Sequence, residues 1–193
     1  MQDKGHDAPC TPGITRRQIL KVGLFASVAC LSPMPAWARF SLTGLKERSL
    51  SLLNTHTGER LKEVVYWEKG LYLPDALHDI NYVLRDHRTD EIHKIDPKTL
   101  DLMAAISRKL DAKRPFEIIS GYRSPETNKY LRSISNGVAK NSYHIQGKAV
   151  DMRLPGVPLK HVRKAAIDLR MGGVGYYPQS DFVHVDSGKV RYW

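Results

Sequence analysis

Two kinds of apolar spacing organise this chain beyond about position 49. Period-two alternation marks strands at Ser49-Leu50-Ser51-Leu52-Leu53-Asn54 and Glu63-Val64-Val65-Tyr66-Trp67. His56-Thr57-Gly58-Glu59 between them has turn chemistry, which predicts an N-terminal hairpin. Helical spacing follows. Pro74 opens a segment with Ala76, Leu77, Ile80 and Leu84 on one face. Asp96-Pro97 is a cap and first-turn pair ahead of Leu100, Met103, Ala104, Ile106 and Leu110. Phe116–Ser120 reads as a strand, Ser124 to about Ile134 as a helix, and Ser135–Ser142 as a Gly/Asn/Ser loop. Ala149–Leu154 is a strand closed by Pro155-Gly156, and Leu159–Leu169 is a helix with Val162, Ala165, Ala166 and Leu169 inward. Gly173–Tyr177 and Phe182–Asp186 are strands joined by Pro178-Gln179-Ser180. Helices lie early and strands mostly late. The class expected is α+β, with a small antiparallel sheet, helices packed on it and the hairpin ahead.

The first forty residues fit neither period. A polar stretch ends in Thr15-Arg16-Arg17-Gln18-Ile19-Leu20-Lys21, a modest apolar run spans Val22 to Leu31, and Ala36-Trp37-Ala38 offers a small-x-small cleavage site. This pattern reads as a bacterial twin-arginine export signal over 1–38, leaving 39–193 as the folded domain and placing it in the periplasm. Val28-Ala29-Cys30 resembles the end of a lipobox, so a lipid anchor at Cys30 is the alternative, with Ser27 where a leucine is usual. No apolar run approaches the roughly 20 residues of a transmembrane span.

Charge and cysteine usage narrow the chemistry. Of 193 residues 26% are charged, with 30 Lys+Arg against 20 Asp+Glu, a net +10 that calls for an anionic partner. Export moves that partner away from nucleic acid and toward the cell wall. Both cysteines, Cys10 and Cys30, lie inside the expected signal, so the domain has neither a disulfide framework nor thiolate metal ligands. Oligomeric state leaves no sequence signal.

Three segments carry candidate chemistry. Asp181-Phe182-Val183-His184-Val185-Asp186 would be a buried strand, yet it holds a histidine in its middle and an aspartate at each end. His184 and Asp186 share a face, and a polar face within an apolar strand needs partners. Ser142-Tyr143-His144-Ile145-Gln146-Gly147-Lys148-Ala149-Val150-Asp151 brings a second histidine and a carboxylate around a glycine turn. Two histidines and one carboxylate form a known catalytic zinc set with a fourth position for water. Ser120-Gly121-Tyr122-Arg123-Ser124 supplies a guanidinium that either steadies a developing oxyanion or pairs with Glu126 at the surface. His56, His78, His87, His93 and His161 are scattered over turns and helix faces and read as solvated or structural, without a second cluster.

Jointly, Ser-x-His-x-x-Gly-x-Ala-x-Asp, Asp-x-x-His and Ser-Gly-Tyr-Arg-Ser resemble the zinc D-alanyl-D-alanine peptidases, grouped with lysostaphin-type endopeptidases and the zinc-binding domain of Sonic hedgehog. With the export signal and the hairpin, the pattern is most similar to the murein endopeptidase K branch. The resemblance implies Zn2+ on His144, Asp151 and His184, Asp181 as general base, and Arg123 facing the substrate. Aspartate replaces the glutamate common at the base position and is one methylene shorter. The resemblance further implies hydrolysis of peptidoglycan stem-peptide cross-links, either D-alanine–diaminopimelate or diaminopimelate–diaminopimelate. A D-alanyl-D-alanine carboxypeptidase and a non-catalytic zinc-stabilised wall-binding module are the alternatives. Asp186 is expected to orient a ligand histidine.

Overall fold

The computed structural model describes residues 42, 44–135 and 137–193. The export signal expected over 1–38, and Cys30 within it, lie outside the described residues. Among the described residues eight strands form a single sheet: β1 (Glu47–Asn54), β2 (Arg60–Glu68), β3 (Leu71–Tyr72), β4 (Phe116–Ser120), β5 (Ala149–Arg153), β6 (Gly173–Tyr177), β7 (Phe182–Asp186) and β8 (Arg191–Tyr192). Their order is β3-β2-β1-β4-β5-β7-β6-β8. Four helices are described: α1 (Pro74–Val83), α2 (Pro97–Lys109), α3 (Pro125–Ile134) and α4 (Leu159–Leu169).

The α+β class holds, but the hairpin is not an appendage. β1 pairs in parallel with β4 at Leu52↔Phe116 and Asn54↔Ile118, which fuses the hairpin to the central strands. β6 and β8 also pair in parallel, and the other five pairings are antiparallel. β1 and β2 slip between Leu50↔Val64 and Leu52↔Leu61, so β2 carries one extra residue there. Glu63 takes φ +50° within that bulge, and its N–H donates to Ser51 Oγ at 2.9 Å.

Two of the four described helices start at a side-chain cap. Asp96 accepts from Lys98 N at 3.0 Å and Pro97 follows, so α2 begins with an orphan N–H satisfied. Ser124 Oγ accepts from Thr127 N at 3.1 Å ahead of α3. Leu100, Met103 and Ile106 of α2 and Val162, Ala165 and Ala166 of α4 are buried in one cluster with Val150, Met152, Val174, Val183 and Val185 of the sheet. Burying each of the larger side chains is worth roughly 1.5–3 kcal/mol. Every second residue of β5, β6 and β7 therefore faces this core, and the residues between face the other way.

Candidate metal centre

The register of β4, β5, β7 and β6 lays that other face out in rows. One row is Ala149–Asp186–Gly173, with Arg191 of β8 beside Gly173. The next is Ser120–Asp151–His184–Gly175, and a third runs Glu117–Arg153, Phe182–Tyr177. Asp151 and His184 are thus directly opposite each other, which sets two of the three expected ligands. His144 comes from outside the sheet, on a 3₁₀ turn at Tyr143–Gln146 that ends at Gly147 with φ +65°. That left-handed residue turns the chain into β5, and its carbonyl accepts from Asp96 N at 2.8 Å, tying the turn to the start of α2.

The three side chains converge, all buried. His144 Nε2 lies 3.2 Å from His184 Nδ1, and Asp151 Oδ1 lies 2.8 Å from His184 Nδ1 and 3.3 Å from His144 Nε2. The outer ring nitrogens decide what these inner atoms are. His144 Nδ1 sits 2.7 Å from the Gly121 carbonyl, which can only accept, so Nδ1 carries the proton and Nε2 presents a lone pair. His184 Nε2 lies 3.1 Å from Asp186 Oδ2, which likewise assigns the proton to the outer nitrogen. Three acceptors then point at one spot, an arrangement that repels itself unless a cation enters. A tetrahedral ion with N and O ligands at about 2.0–2.1 Å spaces them about 3.3 Å apart, so the residues fit a metal ion.

Charge at the cluster is finely balanced. Burial opposes charge on His184, but hydrogen bonds to Asp151 and Asp186 outweigh it and carry its pKa up to about 9. Burial lowers His144. Asp151 is pushed up by burial yet held well below the carboxylate range by the adjacent histidines.

Around the cluster, Asp186 is fully enclosed and does more than meet His184. It accepts from Gly173 N at 3.3 Å, Gly188 N at 2.8 Å, and both terminal nitrogens of Arg191 at 3.0 and 2.8 Å. Burial raises its pKa, but the hydrogen bonds with His184, Arg191 and Gly188 win and hold it at about 2. Arg123 stands on the other side. Its Nη2 contacts Ser120 Oγ at 3.3 Å and Asp151 Oδ2 at 3.5 Å, and its buried Nε has no partner. The surface pairing with Glu126 considered from the sequence is not among its contacts. Asp86, unnoticed in the sequence, positions this segment by accepting from Ser124 N at 2.8 Å.

Asp181 is not brought into the cluster. It closes the Pro178–Ser180 turn with φ +51°, and β7 starts at Phe182, as the turn residues suggested. Its exposed carboxylate bonds Arg153 Nη1 at 3.0 Å, and Arg153 Nε bonds Glu117 at 2.6 Å. His56 and His87 are not scattered: their rings stack at 3.8 Å, beyond β4.

A cavity of about 420 Å³ opens over the cluster, with Arg123, Tyr143, Tyr177, Phe182 and Trp193 in its walls. Tyr177 stacks on Phe182 at 4.6 Å and accepts from Trp193 Nε1 at 2.8 Å, while the Trp193 ring lies 5.3 Å from that of His184. Sequence reasoning missed Arg191 and Trp193. A signal was present: Gly173 and Gly175 hold the polar-face positions on either side of core-facing Val174, and a Cβ at either would strike Arg191 or Trp193.

A mixed sheet here aims two imidazole nitrogens and a carboxylate at the floor of an open cavity, with a guanidinium alongside, the arrangement a metallopeptidase requires. A family model described as peptidoglycan L,D-endopeptidase MepK matches residues 43–193, and the chain belongs to that family. Peptidoglycan L,D-endopeptidase MepK of Escherichia coli strain K12 is 43% identical over 178 residues, covering 92% of this chain and 96% of that protein. The probable peptidoglycan L,D-endopeptidase MepK of Haemophilus influenzae is 44% identical over 179 residues, covering 92% and 95%.

Proposed function

We propose that this protein is an exported, zinc-dependent murein endopeptidase that hydrolyses stem-peptide cross-links of peptidoglycan. The observation that carries the chemistry is the convergence of His144 Nε2, His184 Nδ1 and Asp151 Oδ1 with their outer nitrogens already committed. The named activity of the two relatives supports peptidoglycan as substrate and a bond between L and D centres as the target.

His144, Asp151 and His184 would hold the ion. When bound, zinc supplies Lewis acidity and a water of pKa about 7. Asp186 keeps the His184 proton on Nε2 and so keeps Nδ1 aimed inward. Arg123, with one weak acidic contact and an unpaired Nε, turns its planar fork to the scissile carbonyl oxygen or to a substrate carboxylate. Asp181 would serve as the general base for the attacking water, a role that would require its exposed carboxylate to give up its bond to Arg153. The aromatic wall of Tyr177, Phe182 and Trp193 keeps bulk water from one side of the cavity.

Residues 1–38 would direct export through the twin-arginine route to the periplasm, with the lipid anchor at Cys30 as the competing fate. No helix among the described residues is long and apolar enough to cross a membrane.

The test is to incubate the 39–193 protein with zinc and purified sacculi and to weigh the released muropeptides. Loss of cross-linked dimers with gain of the matching monomers is expected. An unchanged muropeptide profile from zinc-loaded, folded protein would overturn the reading, and loss of terminal D-alanine alone would make the enzyme a carboxypeptidase.

A further inference from the structure

A cavity larger than the one over the metal cluster, about 540 Å³, lies at the opposite end of β4. Phe116 starts β4 in its wall, and Ser120 ends the strand beside Asp151, roughly 13 Å further at about 3.3 Å per residue. The rim carries Arg60, Lys62, Lys113 and Arg114 against a single acid, Glu63. Lys113 is partly neutralised by Asp111 at 2.7 Å. Among the described residues Arg60, Lys62 and Arg114 form no ion pair. Leu61 and Pro115 give the groove an apolar lining between the charges.

The bulge in β2 forms part of the cavity wall. The extra residue there sets Lys62 and Glu63 out of register with β1, and Ser51 satisfies the displaced Glu63 N–H. A second cavity of about 240 Å³, with Glu47 and Asp111 beside Arg48 and Arg108 in its walls, shares Ser49, Ser107 and Ala112 with the first and prolongs it along the C-terminal end of α2. The groove is therefore elongated. Three cations that line one cavity without an ion pair among the described residues raise its positive potential, and an anion lying between them lowers it.

We propose that this groove binds a second, carboxylate-bearing peptide stem of the wall polymer. It would anchor the enzyme to the sacculus while a cross-link is cut at the far end of β4. This rests on peptidoglycan being the substrate. An extended acidic peptide matches both the cationic rim and the apolar lining, whereas a small anion would leave most of the groove empty.

The experiment is cosedimentation with purified sacculi at low and moderate salt, with zinc withheld so that the polymer is not digested. Arg60→Glu combined with Arg114→Glu is compared with Lys129→Glu combined with Lys160→Glu, which makes the same change in net charge on exposed positions elsewhere. The groove pair is expected to weaken binding about tenfold or more, because like charges then face each other, while the control pair stays near wild type. Equal losses in both pairs, no loss in either, or tighter binding of the wild type to a single-stranded oligonucleotide than to sacculi would each overturn the proposal. Circular dichroism and thermal melting of both pairs exclude unfolding, and Arg60→Gln with Arg114→Gln repeats the comparison without reversed charge. Hydrolysis of a soluble cross-linked muropeptide by the zinc-loaded wild type tests the underlying activity separately.

Discussion

On β5 and β7, Val150, Met152, Val183 and Val185 face α2 and α4, whereas Asp151, His184 and Asp186, each one residue away, lie on the other face, the first two lining the cavity and Asp186 enclosed beside them. Both sets are buried, but what holds them differs. The apolar side gains from contact area alone, and each side chain contributes on its own. The polar side is a chain of dependence: Arg191 holds Asp186, Asp186 holds His184, and His184 meets Asp151 and His144. A buried polar group is costly without its partners, so this side is set to fail as a unit. Strand alternation thus lets one element serve stability on one face and chemistry on the other.

Substitutions that separate the faces should do so in graded steps. Arg123→Lys is expected to abolish hydrolysis while zinc content and fold persist, since a point charge does not replace the planar fork; turnover of a soluble muropeptide together with metal analysis checks this. Asp181→Asn should keep zinc and lower kcat by about a hundredfold or more. If Asp181→Asn turns over normally while Asp186→Asn keeps its zinc and is dead, the roles of the two aspartates are exchanged. Across the sheet, Met152→Ala should lower stability by about 2–5 kcal/mol in denaturant titration while metal content and kcat hold. Loss of the metal in that variant would show that the faces are not separable.

Asp186→Asn and Arg191→Lys should weaken zinc binding by about tenfold to a hundredfold in chelator competition, because both loosen the orientation of His184 without removing a ligand. The smallest effect concerns His87, away from the cluster. Burial, followed by the stacked His56, lowers its pKa to about 4. The unfolded chain binds this proton near pH 6.5 and the folded one resists it. Stability from this group is therefore complete above about pH 6.5 and declines as pH falls toward 4. Melting curves between pH 7 and 4.5 should show a shallower decline for His87→Gln than for the wild type.

Much of this arrangement was legible in the sequence, and for local reasons. Phe116–Ser120, Leu159–Leu169, Gly173–Tyr177 and Phe182–Asp186 are observed at the bounds their periodicity indicated. The Asp96 cap announced α2, and Ser124, read as the start of α3, proves to be its cap. Asp151 and His184 stood out as polar residues in apolar strands, His144 in its loop was joined to them by the family resemblance, and the structure gathers all three. What was hidden is non-local or very short. The parallel pairing of β1 with β4 joins segments about sixty residues apart, and no periodicity reports it. β3 and β8 are two residues long, too short for a period to show. With β8 went Arg191 and Trp193, although the Gly173–Gly175 alternation marked the space they fill. The Arg153 partner of Asp181 depends on register across β5 and β7, which motif spacing does not encode.

The central claim is that one metal ion is held by His144, Asp151 and His184. It is tested most directly by the zinc content of the wild type and of His144→Ala, Asp151→Ala and His184→Ala after dialysis, with circular dichroism to verify folding. One zinc per chain is expected in the wild type and almost none in each folded variant. Full zinc occupancy in any one of the three would contradict the assignment of that residue as a ligand.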